Sequence, residues 1–110
     1  MSDAYQTPDD LKRMKQLAQA APAEFKAWLD LDRIVAREDG AIPRKYRELI
    51  AIAVAHTTQC AYCIDVHVAS AKKAGATREE VAEAILLAAA LRAGGAAAHG
   101  SMAMKLFDKD

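Results

Sequence analysis

The chain has 110 residues, near the commonest domain size, which leaves room for one hydrophobic core and not for a second. Its 15 basic and 15 acidic residues cancel, so no net field draws it toward nucleic acid, an anionic membrane or a highly charged substrate. A domain this small buries a modest share of its surface, and self-association is the natural supplement.

The N-terminal MSDAYQTPDD is acidic and polar, unlike the apolar segment of a secretory signal or an Arg-rich transit peptide, so the expected compartment is the cytoplasm. Thr7, Pro8, Asp9 and Asp10 carry the marks of a helix start: a hydroxyl N-cap, proline at the first helical position and acids in the first turn. The first helix is expected to run to about Ala20, with Leu11, Met14 and Ala18 as its apolar stripe. Pro22 opens a second helix, on which Phe25, Trp28, Leu29 and Ile34 or Val35 form the expected buried face, and Gly40 ends it. Trp28, set among Phe and Leu at helical spacing, reads as packing rather than as a substrate contact.

Pro43 starts a third helix, PRKYRELIAIAVAHT, whose basic first turn gives way to Leu49, Ile50, Ile52, Ala53 and Val54. A helix apolar nearly all round should lie at the centre of the fold. Glu48 stands at the border of its charged and apolar parts, and two readings are level. It is either a buried carboxylate with a functional partner or one half of a surface pair with Arg44, four residues before it.

After Thr57, Thr58 and Gln59 a fourth helix is expected to begin close to Cys60 and run to Lys73 or Ala74, with Gly75 as its C-cap. Thr77 and Glu80 form a capping box for a fifth, in which Val81, Ala84, Ile85, Ala88 and Leu91 recur as far as the Gly94–Gly95 pair. A sixth, AAAHGSMAMKLF, closes the chain. No segment alternates as a strand would, so the expected fold is all-α: one domain, a bundle of about six helices. The apolar run AILLAAALRAGGAAAHGSMAMKLF is broken by Arg92, two glycines, His99 and Lys105. It reads as a core or interface segment, not as a membrane span.

The chemistry gathers in ELIAIAVAHTTQCAYCIDVH, residues 48–67. Cys60 and Cys63 form a CxxC pair at a helix N-terminus, where the helix dipole and the neighbouring thiol lower a thiol pKa. One turn of helix also brings two cysteines to a separation at which a disulfide can close. His67 follows Cys63 by four residues, within reach of its proton, and Glu48 from the preceding helix is the candidate acid to orient that imidazole. Zinc is the competing reading, with Cys60, Cys63 and His67 as three ligands and His56 or His99 as a fourth, but three ligands within a turn and a half suit a closed site poorly. His56 and His99 otherwise read as packing or interface histidines. Tyr62, between the cysteines, either donates to a substrate or covers the site.

With its E, CxxC and H spacing, flanked by RELIAIAVAHTTQC and HVASAKKAGATREEVAEA, the chain resembles the AhpD-like alkylhydroperoxidases of the carboxymuconolactone decarboxylase superfamily, from around Gly40 to the last helix. The resemblance implies an all-α bundle assembled as a homo-oligomer, a trimer or hexamer, with residues 40–107 as the CxxC-containing core and 1–39 as an N-terminal helical extension. It implies Cys63 as the thiol that attacks a small hydroperoxide, Cys60 as its disulfide partner, and His67 with Glu48 as a proton relay that tips the level readings of Glu48. It implies an external dithiol or protein reductant and no cofactor or metal. The decarboxylase branch lacks the cysteine pair, so CAYC points to the redox branch. The best-known members have two related helical halves, so the missing half would come from another subunit, and Tyr62 stands where some of them carry a histidine. A dithiol carrier that passes electrons to a partner protein, and a structural or metal-binding oligomeric module, are the alternatives.

Overall fold

A computed structural model of the chain describes residues 4–110, so the first three residues of the acidic N-terminal stretch lie outside the described residues. A single 3₁₀ segment, Pro8–Arg13, leads into α1 (Met14–Ala20), followed by α2 (Pro22–Val35), α3 (Arg44–Thr58), α4 (Ala61–Lys73) and α5 (Arg78–Phe107). No strand occurs among the described residues, and the all-α class stands.

The central position expected of the third helix is borne out, since α3 packs broadly against both α4 and α5. Ile52 and Ala55 of α3, Ala71 of α4 and Ala88 of α5 are buried where these helices meet. Three of those four residues are alanines, whose small side chains let the helix backbones approach closely. Burial of so few large side chains leaves the packed centre small.

Several expected boundaries moved. The first helix divides into the 3₁₀ segment and α1, and the fifth and sixth merge into one 30-residue helix. Glycine in a helix interior costs only about 1 kcal/mol against alanine, and the runs of alanine on both sides of Gly94 and Gly95 carry the helix through. A helix of that length reaches about 45 Å, which accounts for a longest molecular dimension of 54 Å. α5 is long and apolar enough to cross a membrane by length and composition; it packs on α3, and Arg92 donates to the carbonyl of Thr57.

α2 differs more from its expected role. It ends at Val35 rather than near Gly40, and its apolar face is not buried: Trp28 is 46% exposed, and Leu31, Ile34 and Val35 are exposed as well. Its broad neighbour is α1 alone. Phe25 and Trp28, with ring centroids 5.5 Å apart, line an open apolar cleft of about 330 Å³ together with Met14, Leu17, Ala21 and Glu24. The pattern had marked correctly which residues are apolar, but one short partner helix cannot cover that face.

The α1–α2 pair is tied to the rest at two places. The 3₁₀ segment packs on α4, and two arginines of α3 hold the C-terminus of α2. Arg44 Nη1 donates to the carbonyl of Ala36 and Arg47 Nη1 to that of Val35, both at 2.7 Å, satisfying carbonyls that a helix end leaves without partners. Arg47 Nε also donates to the carbonyl of Ile42 at 2.8 Å. Gly40 permits this, because a Cβ there would stand 1.9 Å from the Arg47 guanidinium.

Candidate active site

Two residues, Gln59 and Cys60, separate α3 from α4, and the conformation of the first places the cysteines. Gln59 adopts a left-handed backbone, φ 58° and ψ 42°, as the C-cap of α3, and the N–H of Cys60 turns back to the carbonyl of Ala55 at 3.0 Å. Cys60 is thereby delivered in extended conformation to the N-cap of α4. Its Sγ accepts from the N–H of Cys63 at 3.2 Å, the role a serine or aspartate fills at most helix starts.

Cys60 and Cys63 are joined as a disulfide, with Cα atoms 5.2 Å apart, inside the usual range for such bridges. Both are half-buried, at the positive end of the α4 dipole. Reduction would leave two thiols in a field that favours thiolate, without any need for the helix to move.

Glu48 is 3% exposed and uses both oxygens. Oε1 accepts from Arg44 Nε at 2.7 Å, and Oε2 accepts from His67 Nδ1 at 2.6 Å. The two level readings of this residue are therefore both present: a carboxylate has two acceptor oxygens, and one faces each partner. A carboxylate removed from water needs such pairing to remain charged. With Nδ1–H committed to Glu48, the other ring nitrogen of His67, Nε2, is the one that can exchange a proton with a neighbouring group. His67 lies on α4 one turn beyond Cys63, half-buried, and so faces the same side of the helix as that thiol.

The remaining residues singled out by the sequence go elsewhere. Nδ1–H of His56 donates to the carbonyl of Ile52 at 2.8 Å and that of His99 to Gly95 at 2.9 Å, each one turn back along its own helix. Among the described residues no cluster of three His, Cys, Asp or Glu side chains is arranged to hold a metal ion.

Tyr62 turns toward the N-terminal segment, where its hydroxyl donates to Asp10 Oδ2 at 2.9 Å. Asp10 also accepts from the backbone N–H of Thr7 at 2.9 Å, closing the start of the 3₁₀ segment. The backbone bond from Thr7, then the Tyr62 hydroxyl, hold the Asp10 carboxyl below the usual range, and the same hydrogen bond from Asp10 pushes the Tyr62 hydroxyl up. Gln6, Thr7 and Pro8 face Ala61, Tyr62 and Asp65 across a shallow cavity of about 210 Å³ beside the helix start.

Of the four residues singled out by the sequence, Cys60 is bonded to Cys63 and His67 to Glu48. The sequence missed the bond between Asp10 and Tyr62 and the second bond of Arg44. For Asp10 a signal existed in the Thr7–Asp10 spacing of a capping box; for its pairing with a side chain 52 residues away there was none.

The carboxymuconolactone decarboxylase family model matches residues 22–105, taking in α2 as well as the helices of the cysteine corner. Uncharacterized protein 4 in the cox locus of Paracoccus denitrificans is 47% identical over 83 residues, 76% of this chain and 74% of that protein. An uncharacterized protein of Cupriavidus necator is 35% identical over 92 residues, 84% of this chain and 80% of its own length. The uncharacterized protein YdfG of Bacillus subtilis is 36% identical over 61 residues, which cover 56% of this chain and 40% of that protein.

Proposed function

The chain belongs to the carboxymuconolactone decarboxylase family, and from that premise we propose a thiol-dependent peroxidase that works through the Cys60–Cys63 pair. The observation that carries the proposal is the helix-terminal cysteine pair one turn from a histidine whose Nδ1 is held by a buried carboxylate. In the reduced protein the Cys63 thiolate attacks a hydroperoxide oxygen. The O–O bond breaks, an S–O bond forms, and His67 passes a proton to the departing alkoxide, leaving an alcohol and a sulfenic acid. The Cys60 thiol then displaces water from that sulfur and closes the disulfide. An external dithiol, small or protein-borne, reduces the pair by exchange and is itself oxidised to a disulfide.

Glu48 orients the imidazole and stabilises its charged form, in the manner of the acid in a catalytic triad. Counting free thiols after mixing reduced protein with hydroperoxide tests the reading. Both thiols should be lost per peroxide consumed, and Cys63→Ser should abolish turnover; wild-type turnover by Cys63→Ser overturns the assignment. The half-buried position of the pair also suits a dithiol carrier, which rapid exchange with a protein disulfide and negligible peroxide turnover would establish instead.

The same proposal includes a homo-oligomer. Its support is the shape of the protomer, whose radius of gyration is 18.2 Å. A compact domain of this length would have about 13 Å. Leu91, Met102, Met104, Leu106 and Phe107 all stand exposed from the middle of α5 to its end, and exposed apolar side chains gathered on one helix are what a subunit contact covers.

A further inference from the structure

Arg44 touches neither cysteine nor His67 in the structure's hydrogen bonds, yet it occupies the second oxygen of the carboxylate on which the relay depends. A carboxylate held at one oxygen can swing about its terminal torsion; held at both, it has one orientation. Arg44 is itself fixed, because its guanidinium spans from Glu48 Oε1 to the carbonyl of Ala36 at the end of α2, with both contacts at 2.7 Å. The planar fork of arginine meets both acceptors at once, which the point charge of lysine does not. We propose that Arg44 is a positioning residue for the thiol chemistry: through Glu48 it fixes the imidazole of His67, and it makes α2 part of the support of the site. The inference rests on the proposed Glu48–His67 relay.

Arg47 supplies the control. It binds the neighbouring carbonyl of Val35 and that of Ile42, so it shares the work of holding α2 but makes no bond to Glu48. If Arg44 served only to dock α2, the two arginines would be equivalent.

The experiment is a double-mutant cycle on the rate at which the reduced protein forms its disulfide with hydroperoxide. Loss of an orienting partner typically slows such chemistry by about 10- to 100-fold, and Arg44→Gln should do so while Arg47→Gln does not. In the Glu48→Gln background, Arg44→Gln should cause no further loss. Equal slowing by Arg47→Gln, or losses from Arg44→Gln and Glu48→Gln that simply multiply, would overturn the positioning role and leave the relay intact. A Glu48→Gln protein as fast as wild type would instead overturn the relay. A second readout does not depend on turnover: the Nδ1 proton of His67 should give a downfield NMR signal that Arg44→Gln shifts or broadens and Arg47→Gln does not, and an unmoved signal in Arg44→Gln counts against the inference.

Discussion

The corner between α3 and α4 and the far half of α5 are built from the same chain to opposite states of completion. At the corner a carboxylate, the costliest kind of group to bury, is 3% exposed with a partner on each oxygen. Along α5 from Leu91 on, the large apolar side chains Leu91, Met102, Met104, Leu106 and Phe107, the cheapest kind to bury, stand open, Phe107 at 84%. Among the described residues no buried side-chain polar atom lacks a partner. The polar arrangement of the site is thus closed within one protomer, whereas the apolar burial is not. The paired carboxylate and the open apolar surface lie in different parts of the molecule, and they can be separated by mutation.

The largest effect should come from the largest side chain that is fully buried among the described residues. Ile52 is fully buried at the junction of α3 with its neighbours, and Ile52→Ala should destabilise by about 2–5 kcal/mol through lost contacts and the cavity left behind. Urea unfolding followed by circular dichroism measures it. A loss below about 1 kcal/mol would mean that the packed centre of the protomer is not where its stability resides.

The open surface of α5 should respond in another way. Met102→Glu and Leu106→Glu place charge where the proposed partner copy would lie, so sedimentation should show a smaller particle, and the unfolding temperature should fall and depend on protein concentration. Each buried apolar side chain is worth about 1.5–3 kcal/mol, so one charged replacement should weaken association and two should prevent it. If particle size and melting are both unchanged, nothing covers that half of α5, and the comparison between the two surfaces loses its meaning.

Legibility of the sequence followed the distance over which each signal acts. Gly75, with φ +93°, and the Thr77–Glu80 capping box bracket the turn before α5 in the sequence and in the structure alike, because such signals act within a few residues. The Gly94–Gly95 pair gave a false stop, since its local penalty is outweighed by the alanine-rich helix on either side. Glu48 was legible as two competing pairings, one local with Arg44 and one with His67, 19 residues on. What the sequence could not convey is that a buried carboxylate takes both. The apolar face of α2 was visible as a pattern, but periodicity says which side chains seek cover and not whether the same chain supplies it.

The smallest predicted effect concerns the N-terminal segment, which borders the cysteine corner without belonging to it. Tyr62 lies between the cysteines, and its hydroxyl bond to Asp10 ties α4 to the 3₁₀ segment. Asp10, with its carboxyl held low by Thr7 and Tyr62, supports this tie above the ordinary carboxylate range and loses it as pH falls through the lowered value. Tyr62, pushed up by the same bond, supports it below the ordinary phenol value of about 10 and loses it as pH rises through the raised one. The tie should therefore be constant from about pH 5 to pH 9 and weaken only outside that window. Tyr62→Phe removes it throughout, so amide exchange in residues 8–13 should quicken by a few-fold at neutral pH, as expected for one half-buried hydrogen bond. The wild-type protein should lose the same protection only outside that window, on acidification through the lowered carboxyl value or at pH above the raised phenol value. Because Phe keeps the ring over the helix start and leaves Glu48, His67 and α5 untouched, thiol chemistry and particle size should both stay as in wild type. A change in either would show that the N-terminal segment is coupled to the site or to the open surface, and that the two regions are less separable than their burial implies.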